Sequence, residues 1–276
     1  MKEKISKERI LILGASGFIG NTLYRELCGY FKTYGTYFTP NRTLEKNQQF
    51  VHFDHTQDNI FEILLHIKPT VIISALRGNF NSQVLCHQHI ADYVLNHNCK
   101  FIFISSANVF DAYSKYPSYE YEKTLSQSIY GHFKIKIENM LMKLPPKKWA
   151  ILRLPMVFGK HAPRIEEIKQ LANEHAPIEV FPNLIINVTS DDKVAQQIHY
   201  IINRKKTGIF HLGSTDLVHH DDFVKEIIKT IDLTKIIYKN VFTTNDERYL
   251  AVLPKNNCLP KHLQLNSQEV LNSLLL

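Results

Sequence analysis

Cysteine is scarce in this sequence, and its spacing excludes the sites that cysteine usually builds. The chain has only four cysteines: Cys28, Cys86, Cys99 and Cys258. They form no C-x-x-C pair and have no His-rich neighbour at zinc-finger spacing, so we expect reduced, mostly buried thiols. His219-His220 and His52/His55 do not predict a metal site either, because only Asp216, four residues before His220, lies at helical i,i+4 spacing from any of them, and two ligands do not make a site.

Long apolar runs are also missing. No window approaches the roughly 18 uninterrupted apolar residues of a transmembrane helix. The polar segment Met1–Arg9 runs straight into an apolar strand-like stretch, without the small-residue cleavage site of a secretory signal. We therefore expect a cytoplasmic protein with no membrane partner.

The charge of the chain is only mildly unbalanced. Thirty-three Lys and Arg against 26 Asp and Glu give a formal net charge of +7. The positive residues are scattered, apart from Lys147-Lys148 and Arg204-Lys205-Lys206, both in predicted loops. We expect solvated surface there and no nucleic-acid partner, since attraction for a phosphorylated small molecule explains the same charge.

The first half alternates short apolar runs with helix-length segments, which is typical of βαβ units and a parallel sheet. The predicted strands are Ile10–Leu13, Thr33–Phe38, Phe50–Phe53, Thr70–Ala75, Phe101–Ile104 and Ala150–Leu154. The predicted helices between them are Ile19–Tyr30, Ile60–Ile67, Val84–Leu95 and Ser128–Met142. This pattern predicts an α/β fold.

Beyond Pro155 the alternation becomes irregular. Helices are predicted at Ile165–Glu174, Asp191–Asn203 and Asp221–Thr230, with short strands at Val180–Phe181 and Gly208–Leu212. We therefore predict a dinucleotide-binding domain over residues 1–153. A smaller mixed substrate-binding lobe would cover residues 154–276, with parts of it free to return to the first domain.

A glycine triplet follows the first predicted strand. Gly14 allows a tight turn, Gly17 lets the backbone approach a pyrophosphate, and Gly20 lets the next helix pack on the strand. Amide groups at the start of that helix add donors and a favourable dipole. The pattern predicts dinucleotide binding rather than a merely structural turn, by the residues Gly14, Ser16, Gly17, Phe18, Ile19 and Gly20.

The end of the second predicted strand indicates which dinucleotide is bound. NAD-selective folds place an acidic residue there, and this chain has none from Tyr34 to Arg42. Arg42, helped by Thr39, instead suits the 2′-phosphate of NADP, which we favour over NAD, although Arg42 facing only solvent stays an alternative. Asp54, after the third strand, is a candidate for holding the adenine ring and equally for a helix N-cap.

Tyr130 and Lys134 have the i,i+4 spacing that places two side chains on one helix face. A phenol has a pKa near ~10, and a nearby ammonium moves it toward the working range. Ser106 ends the fifth predicted strand, where ligands of open α/β sheets bind and where a hydroxyl can donate to a substrate oxygen. We predict that Ser106, Tyr130 and Lys134 are catalytic residues. The alternative is that Tyr130 is merely an exposed aromatic residue beside a surface lysine.

With these motifs the sequence resembles the extended short-chain dehydrogenase/reductases, and within them the dTDP-4-dehydrorhamnose reductase group. The segments that carry the resemblance are Gly14–Gly20, Lys68–Ile73, Ser105–Asp111, Tyr130–Lys134, Ile151–Arg153, Val157–Gly159 and Gly208–Leu212. The resemblance implies a Rossmann-type doubly wound parallel sheet, a nicotinamide cofactor and a nucleotide sugar as the small-molecule substrate. It also implies that Ser106 orients the carbonyl, that Tyr130 donates the proton, and that Lys134 binds the nicotinamide ribose and lowers the pKa of the tyrosine.

The same resemblance extends the cofactor site and leaves alternatives open. Ala75 and Leu76 would contact the cofactor through backbone atoms, and Pro155 would lie beside the nicotinamide. The loop after the fourth strand is shorter than in the group, and Gln83 stands where the group usually has Asn. The implied function is an NADP-dependent keto reductase. An epimerase or dehydratase of the same family, a non-catalytic NADP-binding regulatory subunit, and a homodimer stay open.

Overall fold

The computed structural model describes residues 6–113 and 115–275, with side chains described from Glu8 onward. Residues 1–5, part of the segment on which the expected cytoplasmic location depends, lie outside this range. The chain divides into two compact units. Unit 1 comprises Met1–Ser105, His132–Leu152 and Ala195–Ile209, and unit 2 comprises Ser106–Gly131, Arg153–Val194 and Phe210–Leu276. The domain boundary near residue 153 stays a prediction.

The described part of the chain forms strands and helices along its whole length. The strands are β1 Ser6–Leu13, β2 Phe31–Tyr37, β3 Phe50–His52, β4 Val71–Ser74, β5 Lys100–Ser106, β6 Trp149–Leu154, β7 Met156–Phe158, β8 Ile178–Val180, β9 Leu184–Ile186, β10 Val188–Ser190, β11 Gly208–His211, β12 Val218–His219, β13 Tyr238–Asn240 and β14 Arg248–Leu250. The helices are α1 Phe18–Leu27, α2 Arg42–Glu45, α3 Ile60–Ile67, α4 Phe80–Asn96, α5 Ile129–Leu141, α6 Pro163–Asn173, α7 Asp191–Asn203, α8 His220–Thr230 and α9 Ser267–Ser273. No helix in the described part of the chain is long and apolar enough to span a membrane.

The main sheet has the strand order β11-β6-β5-β4-β1-β2-β3. The pairs β1–β2, β1–β4, β2–β3 and β4–β5 are parallel. The order reverses between β1 and β4, as in Rossmann-type sheets, where ligands bind beyond the carboxyl ends of the strands at this point. The predicted α/β fold with a doubly wound, mostly parallel sheet is confirmed.

The core of unit 1 explains why these strands read as continuous apolar runs. Leu11, Ile72 and Phe101, from β1, β4 and β5, are fully buried. They belong to one cluster with apolar residues of α3, α4 and α5, including Leu64 and Ile137. A parallel sheet covered by helices needs apolar residues on its strands, which gives them their strongly apolar sequences.

Unit 2 is built from small sheets. β7 pairs in parallel with β10, and β8 pairs in parallel with β13. β9 pairs with β12 in an antiparallel and with β14 in a parallel arrangement. Phe223 of α8 packs edge-on against Phe158 of β7, with ring centroids 5.2 Å apart.

Several element boundaries differ from the sequence predictions for local reasons. The fourth helix starts at Phe80 instead of Val84, because the Asn79 side chain accepts a hydrogen bond from the Ser82 amide and caps the helix. The first helix ends at Leu27 and its C-cap is Cys28, short of the predicted Tyr30. The strand predicted at Val180–Phe181 lies at Ile178–Val180.

Candidate active site

The glycine loop lies between β1 and α1, as its spacing predicts. Gly14 has a φ of +79°, and its amide donates to the Thr36 hydroxyl at 2.9 Å. A Cβ on Gly20 would lie 2.1 Å from the Gly14 carbonyl oxygen, so a larger residue cannot occupy this position without moving the backbone. Gly17 is the N-cap of α1 and no side chain caps the helix there, which leaves this helix start suited to an anion.

A cavity of about 400 Å³ lies beside this loop, entirely within unit 1. Its lining includes six of the residues predicted to bind cofactor: Gly14, Ser16, Gly17, Asp54, Ala75 and Leu76. The lining also includes residues that the sequence analysis missed: Thr36, Tyr37, Phe38, Phe53, His55, Thr56, Arg77, Gly78 and Asn79. Most of these residues lie at or just after the ends of β2, β3 and β4, so the rule that ligands bind beyond strand ends could have identified them.

Four other residues predicted to bind the cofactor, Phe18, Ile19, Arg42 and Pro155, do not belong to the described lining of this cavity. Phe18 and Ile19 begin α1, and Arg42 is the exposed first residue of α2. Arg42 is absent from the cavity lining, as far as the described residues define it. Pro155 is a buried residue of unit 2 between β6 and β7. Arg77, exposed at the cavity, is a cation that the sequence analysis did not consider.

Two polar side chains characterise the cavity wall after β3. The Asp54 carboxylate accepts from the Thr56 hydroxyl at 2.6 Å and from the Thr56 amide at 2.8 Å, and these bonds lower the pKa of Asp54. The N-cap of α3 is Asn59, so Asp54 does not cap this helix. The Nε2 atom of His55 is buried and has no hydrogen-bond partner among the described residues. A buried polar atom without a partner is costly in an isolated protein, and a ligand in the cavity can satisfy it.

The loop after β4 is held by the side chain of Gln83. The Gln83 amide group donates to the Gly78 carbonyl at 3.1 Å, and Gly78 has a φ of +112°. The buried His87 ring contacts the Gln83 carbonyl at 2.5 Å and the Ser74 hydroxyl at 2.9 Å. Burial lowers the pKa of His87 to about 3, so the ring is neutral at physiological pH. Gln83 thus holds Gly78, which lines the cavity, and His87 in turn contacts Gln83.

Ser106 is the last residue of β5, as predicted. Its hydroxyl donates to the Asn108 side-chain oxygen at 2.9 Å and accepts from the Asn108 amide at 3.2 Å. The segment that leads to α5 is held by Asp111, whose carboxylate accepts from the Ser126 hydroxyl at 2.9 Å and from the Gln127 amide at 2.6 Å. These bonds set the start of the helix on which Tyr130 lies.

Tyr130 and Lys134 lie one turn apart on α5, as their spacing predicts. The Tyr130 side chain is 39% exposed, whereas Lys134 is buried and its ammonium donates to the Ile104 carbonyl at 2.8 Å. Burial lowers the pKa of Lys134 to about 7, and the negative charge of Glu138 opposes this shift. Burial and a perturbed pKa therefore single out Lys134 as a candidate functional amine.

Comparison with known proteins gives related sequences and similar folds. The sequence profile of the RmlD substrate binding domain family matches residues 8–270. The dTDP-4-dehydrorhamnose reductase of Aggregatibacter actinomycetemcomitans is 26% identical, over 91% of this chain and 90% of that protein.

Solved structures match along almost the whole chain. One is dTDP-4-dehydrorhamnose reductase from Bacillus anthracis str. Ames in complex with NADP, with a TM-score of 0.78, 21% identity and coverage of 98% of this chain and 99% of that one. Another is dTDP-glucose 4,6-dehydratase from the same organism in complex with NAD, with a TM-score of 0.75, 15% identity and 96% coverage of both chains. At these identities the likeness shows the fold, which agrees with the sheet order described above.

Proposed function

Because the chain belongs to the RmlD substrate binding domain family, we propose that it is an NADP-dependent reductase of a keto group on a nucleotide sugar. The relative from Aggregatibacter actinomycetemcomitans is named as such a reductase, and it matches this chain over nearly the whole length of both proteins. NAD stays possible as cofactor, because similar folds have been solved with either dinucleotide. The observation that supports the proposal most is the buried Lys134, one helical turn after Tyr130.

The cavity beside the glycine loop suits the pyrophosphate and the adenosine half of the dinucleotide. The turn at Gly14 and Gly17 would let the pyrophosphate approach the start of α1, where Phe18 and Ile19 offer backbone amides. Asp54 and the buried Nε2 atom of His55 would meet the adenosine half. Lys134 would hold the nicotinamide ribose. The cofactor, when bound in its reduced form, supplies a hydride to the carbonyl carbon of the substrate.

The remaining steps belong to side chains of this protein. When the substrate binds, the Ser106 hydroxyl would turn its single proton from the Asn108 side-chain oxygen to the substrate carbonyl oxygen, on which negative charge develops. The Tyr130 hydroxyl transfers its proton to that oxygen, which leaves an alcohol product and a phenolate. The positive charge of Lys134 stabilises this phenolate, and the proton is afterwards replaced from solvent.

The sequence of the Ser106 segment favours reduction over dehydration. A dehydratase of this family usually has an acid pair beside the serine, whereas this chain has Ala107 and Asn108. Asn108 hydrogen-bonds to the Ser106 hydroxyl and offers an amide where an acid would be needed. An epimerase would be distinguished by tightly held NAD that purifies with the protein.

The first experiment is NADPH consumption with a panel of 4-keto nucleotide sugars, using the unaltered chain and Tyr130→Phe. We expect Tyr130→Phe to lower turnover by about 10²–10⁴-fold, the usual contribution of a positioned general acid. NADPH affinity should stay within a few fold, and the control Tyr30→Phe, at another exposed tyrosine, should behave as the unaltered chain. Wild-type turnover in Tyr130→Phe would refute the proton-donor role, and NADPH binding without turnover of any substrate would favour a regulatory subunit.

The cofactor preference depends on the cation that meets the 2′-phosphate. We expect Arg42→Ala to weaken NADPH binding by roughly 10- to 100-fold with little change for NADH, because a hydrogen bond to a charged group contributes about 1.5–3 kcal/mol. Isothermal titration with both cofactors measures this, and Arg77→Ala is the matched control at the cavity. Loss of preference in Arg77→Ala alone would move the phosphate contact to Arg77, and equal affinities in the unaltered chain would reject NADP selectivity.

The assembly and the location of the protein are further parts of the proposal. A homodimer and a cytoplasmic location stay predictions from the resemblance and the sequence. Light scattering during size-exclusion chromatography tests the first, and a mass of one chain, 32.1 kDa, would refute it.

A further inference from the structure

The buried carboxylate of Glu138 has no part in the steps described above. Glu138 lies on α5 one turn after Lys134, and its side chain is 0% exposed. The hydroxyl of Ser105, itself buried, donates to Glu138 Oε1 at 2.6 Å. A carboxylate in such a place is costly unless hydrogen bonds and an opposite charge compensate its desolvation.

Consecutive residues of β5 hold both charged groups of this helix face. The Ile104 carbonyl accepts from the Lys134 ammonium, and the next residue, Ser105, donates to Glu138. Lys134 and Glu138 are four residues apart on α5, so they lie on the same face of the helix. All four residues belong to unit 1, which makes this a single connected arrangement of strand and helix.

Two aromatic rings and a buried imidazole also lie near the Lys134 ammonium, and the rings attract its positive charge. The rings of Phe103 and Phe133 lie 4.6 Å and 5.4 Å from its ammonium nitrogen. The facing residue of α4 is His87, which burial keeps neutral and whose pKa the positive charge of Lys134 lowers further. Glu138 is the group whose charge opposes the effect of burial on the pKa of Lys134.

We propose that Glu138, anchored by Ser105, is a positioning residue that keeps the Lys134 ammonium protonated and fixed on the Ile104 carbonyl. The inference rests on the role proposed for Lys134 in turnover, but the electrostatic link itself concerns the cofactor-free protein. A neutral lysine would neither stabilise a phenolate at Tyr130 nor donate fully to a ribose hydroxyl. Glu138 thereby sets the upper pH at which the site works.

The direct test is the titration of Lys134 in the full-length, cofactor-free chain, followed by NMR of ¹⁵N-labelled lysine and assigned with Lys134→Met. Glu138→Gln keeps an acceptor for Ser105 and removes the charge. We expect it to lower the pKa of Lys134 by at least about one unit. Glu62→Gln, at an exposed carboxylate of α3, should leave the titration unchanged. An unchanged pKa of Lys134 in Glu138→Gln would overturn the inference, whether or not the protein shows turnover.

The second test is the pH profile of kcat for the reductase reaction. We expect Glu138→Gln to move the high-pH limb of the profile down by at least about one unit, with KM for the nucleotide sugar within a few fold. Glu138→Asp should restore part of the profile, and Ser105→Ala should shift it less and in the same direction, which keeps the test usable if Glu138→Gln fails to fold. A uniform loss of kcat with an unmoved limb would indicate a purely structural role. Absence of turnover in the unaltered chain would reject the proposed function alone.

Discussion

Lys134 in unit 1 and Arg153 in unit 2 are both nearly buried, at 6% and 1% exposure, yet they are held in different ways. The Lys134 ammonium donates to the Ile104 backbone carbonyl, and the negative charge of Glu138 favours its protonated form. Arg153 donates to the Glu120 carbonyl and faces His211 Nε2, both at 3.4 Å, and its guanidinium lies 4.8 Å from the Phe110 ring centroid.

The difference between the two cations is whether the charge can be lost. A guanidinium stays protonated at any pH that a protein survives, so the burial of Arg153 has to be compensated by partners around it. Burial, and then Arg153, lower the pKa of His211 to about 4, so this imidazole is neutral and can accept from the guanidinium. An ammonium gives up its proton more easily, so the same burial makes Lys134 a tunable group. Arg153 is therefore held as a fixed charge, whereas the charge of Lys134 can change near neutral pH.

The largest expected effect on stability is that of Arg153→Met. We expect it to lower the free energy of unfolding by about 2–4 kcal/mol, because two buried acceptors, the Glu120 carbonyl and His211 Nε2, lose their donor. Urea unfolding measures the change. The control is Lys169→Met, at an exposed lysine that pairs with Glu166 at 2.9 Å, for which we expect at most about 0.5 kcal/mol. Equal effects of the two substitutions would remove the structural role assigned to Arg153.

A smaller effect is expected from Lys134 on the pH dependence of the free energy of unfolding. Its pKa is about 7 in the folded protein against 10.5 in the unfolded chain, so the unfolded chain binds the extra proton between these values. Stability should therefore rise from pH 7 to 8.5 with a contribution from Lys134 of at most about 1.4 kcal/mol per pH unit. Lys134→Met should remove this part of the slope, whereas Arg153→Met should leave it. Parallel pH profiles of the unaltered chain and Lys134→Met would contradict the low pKa.

The sequence predicted well those elements whose signal is local and periodic. The helix predicted at Asp191–Asn203 is α7 with the same bounds, and the run Ile10–Leu13 lies within β1. It missed strands such as β9 and β12, which have three and two residues. Strands so short show no alternation, and they form because a partner distant in sequence supplies their hydrogen bonds.

The residues of the candidate site likewise fall into those that a local sequence motif predicts and those that it does not. The residues that line the cavity and were predicted, such as Gly14 and Asp54, belong to a loop motif or follow a strand end. His55 and Arg77 line the same cavity but have no motif that would single them out. The catalytic assignment of Ser106, Tyr130 and Lys134 stays a prediction until Tyr130→Phe is measured.

By itself the sequence determined the alternating α/β order, the glycine turn and the spacing of Tyr130 and Lys134, because these depend on residues within one or two turns of each other. Only the tertiary structure decided that Lys134 is buried and that Ser105 reaches Glu138 across 33 residues. Such contacts depend on which face of α5 packs against β5. The sequence does not determine this, because the identity of a residue as lysine does not tell whether its side chain is buried or exposed.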